Sequence, residues 1–139
     1  MSVTLQLGDW TRLGPEANAI RFTVFVDEQK VPASLENDEF DAVSIHAVAS
    51  DGGQPCGTGR LLPDGHIGRM AVLAAWRGKG IGGRILTALI EAARARGDAQ
   101  VVLNSQLQAM PFYEGFGFAA EGDEFMEAGI AHRTMTLAL

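Results

Sequence analysis

Cysteine is nearly absent from this chain: Cys56 is the only one in 139 residues. One thiol excludes an internal disulfide framework and any paired-cysteine zinc or redox site. His66 and His132 show no ligand spacing with one another or with Cys56, so no metal is expected. Long apolar runs are missing too, which excludes a membrane-spanning helix, and the N-terminus lacks the basic and apolar regions of a signal peptide. Basic residues are outnumbered, and a net charge of −6 makes nucleic acid an unfavourable partner. Internal repeats, low-complexity tracts and linkers are also lacking. These absences predict a cytoplasmic protein with no membrane, metal or nucleic-acid partner. At 47% hydrophobic content, residues 1–139 are expected to form one compact domain, with no second domain for a substrate.

Glycine, by contrast, is concentrated where it can act. Met70-Ala71-Val72-Leu73 reads as a strand, followed by Arg77-Gly78-Lys79-Gly80-Ile81-Gly82-Gly83-Arg84. Gly78, Gly80, Gly82 and Gly83 carry no side chains, so consecutive backbone N–H groups can converge on one anion, aided by Arg77, Lys79 and Arg84. Ile81, Ile85, Leu86, Leu89, Ile90 and Ala93 then recur at helical spacing, with Gly97 as a C-terminal cap. The turn therefore stands at a helix N-terminus, whose unpaired donors and dipole favour a phosphate. A P-loop is excluded, because Gly78-Lys79 is followed by Gly80 rather than Ser or Thr and position 73 is Leu. The dinucleotide string G-x-G-x-x-G is met by Gly78, Gly80 and Gly83, with Asp98 about twenty residues on. Its context is wrong, since Ala74-Ala75-Trp76-Arg77 separates the strand from the first glycine.

Charge is as uneven as glycine. Asp27, Glu28, Glu36, Asp38, Glu39 and Asp41 face Lys30 alone, a local balance of −5 within the total of −6. Such a segment is either a solvated loop or a mouth that draws in a cation. Around it, the pattern predicts a strand over Val3–Leu7 and a helix from Pro15 to Glu28 that buries Ala17, Ile20, Val24 and Phe25. Strands over Ser44–Ser50, Gly57–Leu62 and Ile67–Leu73 follow, joined by the turns Asp51-Gly52-Gly53 and Pro63-Asp64-Gly65. After the glycine turn and its helix come a strand at Gln100–Asn104, a short helix around Ala109–Gly115, and strands near Gly117–Ala120 and His132–Leu137. The order βαβββαβαββ describes a mixed α/β fold.

Arg77-Gly78-Lys79-Gly80-Ile81-Gly82 between strand and helix resembles the diagnostic string of the GNAT superfamily of N-acetyltransferases, an Arg or Gln, two residues, Gly, one residue, then Gly or Ala. Pro111-Phe112-Tyr113-Glu114-Gly115-Phe116-Gly117-Phe118 resembles a second segment of the same family. Val24 to Pro32 and Glu124 to His132 are similar to the ElaA/YjcF-like branch. The resemblance covers nearly the whole chain. It implies a single GNAT-like domain, a largely antiparallel twisted sheet of about six or seven strands, splayed between strands 4 and 5 and flanked by about four helices.

The resemblance also implies a chemistry. Acetyl-CoA enters the splay and pairs its pantetheine amides with Met70, Ala71 and Val72, leaving its pyrophosphate to Arg77, Gly78, Lys79, Gly80, Ile81, Gly82 and Gly83. An N–H of Ala71 or Val72 stabilises charge on the thioester oxygen. Phe112 borders the cofactor, and Asn104 either bonds the pantetheine or caps the following turn. Tyr113, the only tyrosine, matches the family's general acid, while the aromatic residues beside it allow a plain anchoring role. The acceptor is expected to be a small cationic amine that attacks directly, with Cys56 a buried hydrophobe rather than a nucleophile.

The base is less visible. A lysine-like amine has a reference pKa near 10.4, so presenting it neutral at pH 7 costs about 4–5 kcal/mol unless its proton is removed. Some relatives use a glutamate on the fourth strand, where this chain reads Ile67-Gly68-Arg69-Met70. Glu28 and His46, and by type Glu124, are the remaining candidates. Two other function classes stay open: a non-catalytic acyl-CoA-binding module and a small dinucleotide-binding domain. An exposed edge strand leaves room for a homodimer.

Overall fold

Alternation along the second strand explains how two helices come to sandwich one sheet. In the computed structural model, which describes residues 2–139, β1 (Val3–Gly8), β2 (Ile45–Asp51), β3 (Gln54–Leu61) and β4 (Ile67–Val72) form an antiparallel sheet in that order. On β2, Ala47 and Ala49 face helix α2 (Ile81–Arg96), while Val48 faces helix α1 (Trp10–Arg21) on the other side. The face of α2 bearing Ile81, Ile85, Leu86, Leu89, Ile90 and Ala93 is buried as the periodicity predicts, and Gly97 closes the helix in the left-handed region.

Helix α1 starts earlier than expected. Asp9 is its N-cap, accepting from the Arg12 N–H at 2.9 Å, so Pro15 lies inside the helix rather than at its first position. The Asp9 carboxylate satisfies the Arg12 N–H and starts the helix, which then runs on through Pro15 without that residue's N–H. The expected extension to Glu28 is helical but wider: Phe22–Glu28 forms a π-helical stretch that ends with Gln29 N–H bonded to Val24 O at 3.1 Å. Ala17, Ile20 and Val24 are buried, and Phe25 packs beside them.

Beyond α2, β5 (Gln100–Gln106), helix α3 (Met110–Glu114), β6 (Ala119–Glu127) and β7 (Ile130–Ala138) complete the chain. These strands form a second antiparallel sheet ordered β5-β7-β6. The last two are longer than the pattern predicts, because Ala128 (φ +51°) and Gly129 (φ +78°) make a tight turn that carries the hairpin through residues 121–131. Among the described residues, the sheets share a backbone link where His66 pairs in parallel with Val102 and the Val102 N–H reaches Gly65 O at 3.0 Å. Past that contact β4 and β5 diverge, and the gap between them is the centre of the candidate site.

Candidate active site

The glycine turn leaves a run of backbone donors free. Gly80 caps α2 with φ +78°, Gly78 has φ +76°, and a Cβ at either would meet nothing within 4 Å. Glycine is required at both for the left-handed conformation, not for space. The Arg77 N–H bonds Ala74 O at 3.3 Å and the Arg84 N–H bonds Gly80 O at 3.1 Å. Between them, among the described residues, no backbone acceptor serves the amides of Gly78, Lys79, Gly80, Ile81, Gly82 and Gly83. Ile81 contributes only its N–H, since its side chain is core. Gly83 serves packing, because a Cβ there would stand 3.1 Å from Phe116.

Arg77 is not the mobile phosphate ligand expected. Its Nε donates to Val72 O at 2.8 Å and its Nη2 to both carboxylate oxygens of Glu28, tying the end of β4 to the π-helical stretch. Lys79 and Arg84 are the remaining cations of the turn, and Arg84 Nη1 donates to Val3 O.

β4 presents one unpaired edge to a cleft of about 870 Å³. The Leu73 N–H bonds Cys56 O on β3, and alternation from Leu73 sends the Ala71 N–H to β3 as well. Of the three residues expected to pair with a ligand, Met70 and Val72 turn their N–H groups to the side of β4 away from β3 and Ala71 does not; Met70 lines the cleft, and Val72 O accepts from Arg77 Nε. Ala71 instead lends its side chain to the core beside Ile20 and Val24. Further along β4, Arg69 and Met70 together oppose Gly59, and Arg69 takes φ +51°. This bulge turns the strand away from β5.

Tyr113 lines the same cleft from α3, with Asn104 facing it from β5. The phenol is held by edge contacts to Phe112 (5.0 Å between centroids) and Phe118 (6.0 Å). Burial pushes its pKa up to about 12, so it carries its proton throughout the neutral range. Phe112 lies over the start of α2, 3.6 Å from where a Cβ of Gly82 would stand. Asn104 Oδ1 accepts from Thr134 Oγ1 at 3.2 Å, which leaves its amide donors for a ligand.

The Acetyltransferase (GNAT) domain family matches residues 12–139. The chain belongs to the GNAT acetyltransferases. It is 43% identical over 124 residues to the uncharacterized N-acetyltransferase YjcF of Bacillus subtilis (strain 168), covering 86% of this chain and 89% of that protein. An acyl-CoA N-acyltransferase from Pseudomonas aeruginosa superposes with a TM-score of 0.87 at 30% identity, covering 99% of this chain and 100% of the other. ElaA of Escherichia coli shares the fold, with a TM-score of 0.85 at 24% identity over 97% of this chain and 99% of its own. The protein is thus an acyltransferase of the ElaA/YjcF-like branch.

In this GNAT protein the acidic segment is divided: Asp27 and Glu39 are exposed, while Glu36, Asp38 and Asp41 are taken up by arginines. Glu36 and Asp41 are buried on Arg21, at 2.5 and 2.8 Å. Asp38 is paired with Arg60 at 2.7 Å and with Arg69 at 3.3 Å, and Arg60 also reaches Asp41 at 2.9 Å. The Arg60 bond is what chiefly holds the Asp38 carboxyl below the usual range. Burial alone would raise Asp41, but the bonds from Arg21 and Arg60 outweigh it and lower it too. Three arginines therefore cancel three of the carboxylates that dominate the sequence charge. Nothing among the sequence neighbours of Arg60 and Arg69 marks them as residues of the site.

Neither base candidate reaches the acceptor side of the cleft with a free atom. His46 is 1% exposed beneath Trp10, and its Nε2 is bonded to Asp41 O at 2.8 Å. Burial lowers its pKa, and it does not border the cleft. Glu28 is occupied by Arg77. Glu124 also lies off the cleft, whereas Glu127 and His132 line it. The tight turn at Ala128-Gly129 places both at one end of a hairpin. Cys56 is fully buried in the α2 core, donating to Ala49 O at 3.4 Å, and burial raises its pKa.

Proposed function

We propose that this acyltransferase uses acetyl-CoA as donor and transfers the acetyl group directly to a primary amine of a small cationic molecule. The observation that carries the reading is the divergence of β4 from β5, which runs the unpaired edge at Met70 and Val72 toward the free amides of Gly78 to Gly83. That combination suits a ligand with amides at one end and a pyrophosphate at the other. Lys79 supplies charge beside the amides, Phe112 packs over the start of α2 and Asn104 lines the cleft from β5. The unobstructed space over Gly78 and Gly80 supports the fit of a pyrophosphate.

The chain's own groups cover the two polar demands of the transfer. The Val72 N–H, turned away from β3, serves the thioester oxygen as charge builds on it. Tyr113 gives its proton to the departing thiolate while the amine nitrogen bonds the carbonyl carbon and the C–S bond breaks. No acyl-enzyme is required, consistent with the burial of Cys56. Among the carboxylates bordering the cleft, Glu36 and Asp38 are engaged by arginines and Glu127 is not, so the acceptor's ammonium group is matched by Glu127 rather than by the acidic segment.

Thermal shift with acetyl-CoA and with NADH tests the donor, and release of free CoA thiol across polyamines, aminoglycosides, amino sugars and peptide N-termini tests the transfer. Stabilisation by acetyl-CoA and thiol release with at least one amine are expected. Stabilisation by NADH alone overturns the reading, and stabilisation by acetyl-CoA without thiol release reduces it to a binding module.

A further inference from the structure

We infer that His132 is the general base that takes the proton from the acceptor's ammonium group, with Glu127 holding the imidazolium that results; this rests on the acyl-transfer reading above. His132 stands near the start of β7, in register with Phe125 on β6 and Gln106 on β5. The residue is 6% exposed, and its ring stacks on Phe125 at 5.9 Å and borders the cleft that Tyr113 also lines.

Its tautomer is set by the backbone. Nδ1 lies 2.6 Å from Ile130 O, and a carbonyl only accepts, so Nδ1 carries the hydrogen and the neutral ring has its lone pair on Nε2. Nε2 lies 3.5 Å from Glu127 Oε2. Two acceptor atoms thus face each other, and a donor completes the arrangement: first an ammonium N–H, then the proton left on Nε2. In the step, that proton moves from the ammonium nitrogen to Nε2, and the freed lone pair forms the N–C bond. The C–S bond breaks and the thiolate takes the Tyr113 proton. As the adduct collapses, the attached nitrogen gives its second proton through solvent to the phenolate, leaving a neutral amide, and the imidazolium returns its proton to solvent.

The charged surroundings of His132 are few. β6 contributes Glu127, β5 contributes the uncharged Asn104, Ser105 and Gln106, and α3 contributes Tyr113. Across the cleft, Arg60 and Arg69 are paired with Asp38, and Glu36 with Arg21. Arg133, next on β7, turns away to Gly122 O.

The test is the pH dependence of turnover for the wild type, His132→Gln and Glu127→Gln, using the best amine of the panel, with acetyl-CoA affinity and thermal midpoint measured in parallel. Folded His132→Gln is expected to bind acetyl-CoA within about twofold of wild type and to turn over about 10²-fold or more slowly at pH 7. It should also lose the acidic limb of the profile, its rate climbing instead toward the amine's own pKa. Turnover within about threefold of wild type with the limb retained overturns the base and leaves the transferase reading intact. If His132→Gln does not fold, Glu127→Gln decides, since Glu127 is half exposed. Removing its carboxylate should lower turnover about 10-fold or more with acetyl-CoA affinity within about twofold of wild type, and unchanged turnover overturns the inference. Absence of thiol release from wild type with every amine overturns both readings together.

Discussion

From Gly78 to Gly83 the protein offers unpaired backbone amides and few fixed side chains; from Glu28 to Asp41 it carries many charges, most of them already bonded within the chain. The first region has little sequence charge and an open field of donors. The second has the densest charge in the sequence, of which Glu36, Asp38 and Asp41 are matched by Arg21, Arg60 and Arg69. Formal charge along a chain therefore says little about charge at a site, because buried carboxylates persist only where they are paired. Backbone geometry, which has no charge to count, is the better marker of anion binding here.

The sharpest way to break this contrast is to remove one arginine from the acidic side. Arg21→Met leaves Glu36 and Asp41 buried without their main partner and is expected to cost about 3–5 kcal/mol, a large part of the ~5–15 kcal/mol that holds a domain together. Urea unfolding should show it, while Lys79→Met on the turn should stay within about 0.5 kcal/mol. The pH dependence has a definite sign. Asp38 and Asp41 are lowered on folding, so their contribution is complete above the ordinary carboxyl value of 3.8 and is lost as pH falls through their lower folded values. Wild type should hold its fold at pH 5 and begin to lose it below about 3.9. Arg60→Met should be less stable than wild type at pH 7, with the gap narrowing as pH falls through this range, and a constant gap would show that the network adds no acid sensitivity.

Next comes the phenol between the two regions. Tyr113→Phe keeps the ring contacts to Phe112 and Phe118 and deletes the proton. Turnover is expected to fall about 10²-fold, equivalent to ~2.7 kcal/mol, with acetyl-CoA affinity nearly unchanged. Equal turnover would make Tyr113 an aromatic anchor and nothing more.

What can be read from the sequence follows the same division. The strand, turn and helix from Met70 to Gly97 are legible because glycine spacing and helical periodicity are local signals. The splay of β4 from β5 is accessible only through resemblance, since it depends on a pairing that stops after His66 and Val102. The arginine network is not legible, because Arg21 and Asp41 or Arg60 and Asp38 are near each other only after folding. Helix α1 begins ahead of its expected start because the Asp9 cap, and not Pro15, sets its first turn. The β6–β7 hairpin exceeds its expected length because Ala128-Gly129 lacks the Asn-Gly or Asp-Gly signature of such turns, and that missing signature hides the placement of Glu127 and His132 at the cleft.

On the amide side, Gly80→Ala measures what the left-handed turn contributes. Nothing obstructs a Cβ there, so the cost is conformational, about 1–2 kcal/mol, met by shifting the turn. Acetyl-CoA affinity should fall about 5- to 30-fold with turnover at saturation nearly constant. A matching loss in turnover would mean that the turn also positions the thioester.

The smallest effect is expected where the acidic segment meets the residue before the glycine turn, at Glu28 with Arg77. Both side chains are partly exposed, at 34% and 46%, so the pair contributes about 1 kcal/mol or less despite its two-pronged geometry. Arg77 keeps its bond to Val72 O without Glu28, so β4 and the turn stay linked. Glu28→Gln should therefore cost no more than about 1 kcal/mol in stability, leave turnover within about twofold and change acetyl-CoA affinity by less than about threefold. Turnover reduced about 10²-fold with an altered pH profile would restore Glu28 as the base. It would also show that the acidic segment does chemistry after all, in place of the neutralised role its arginine partners assign to it.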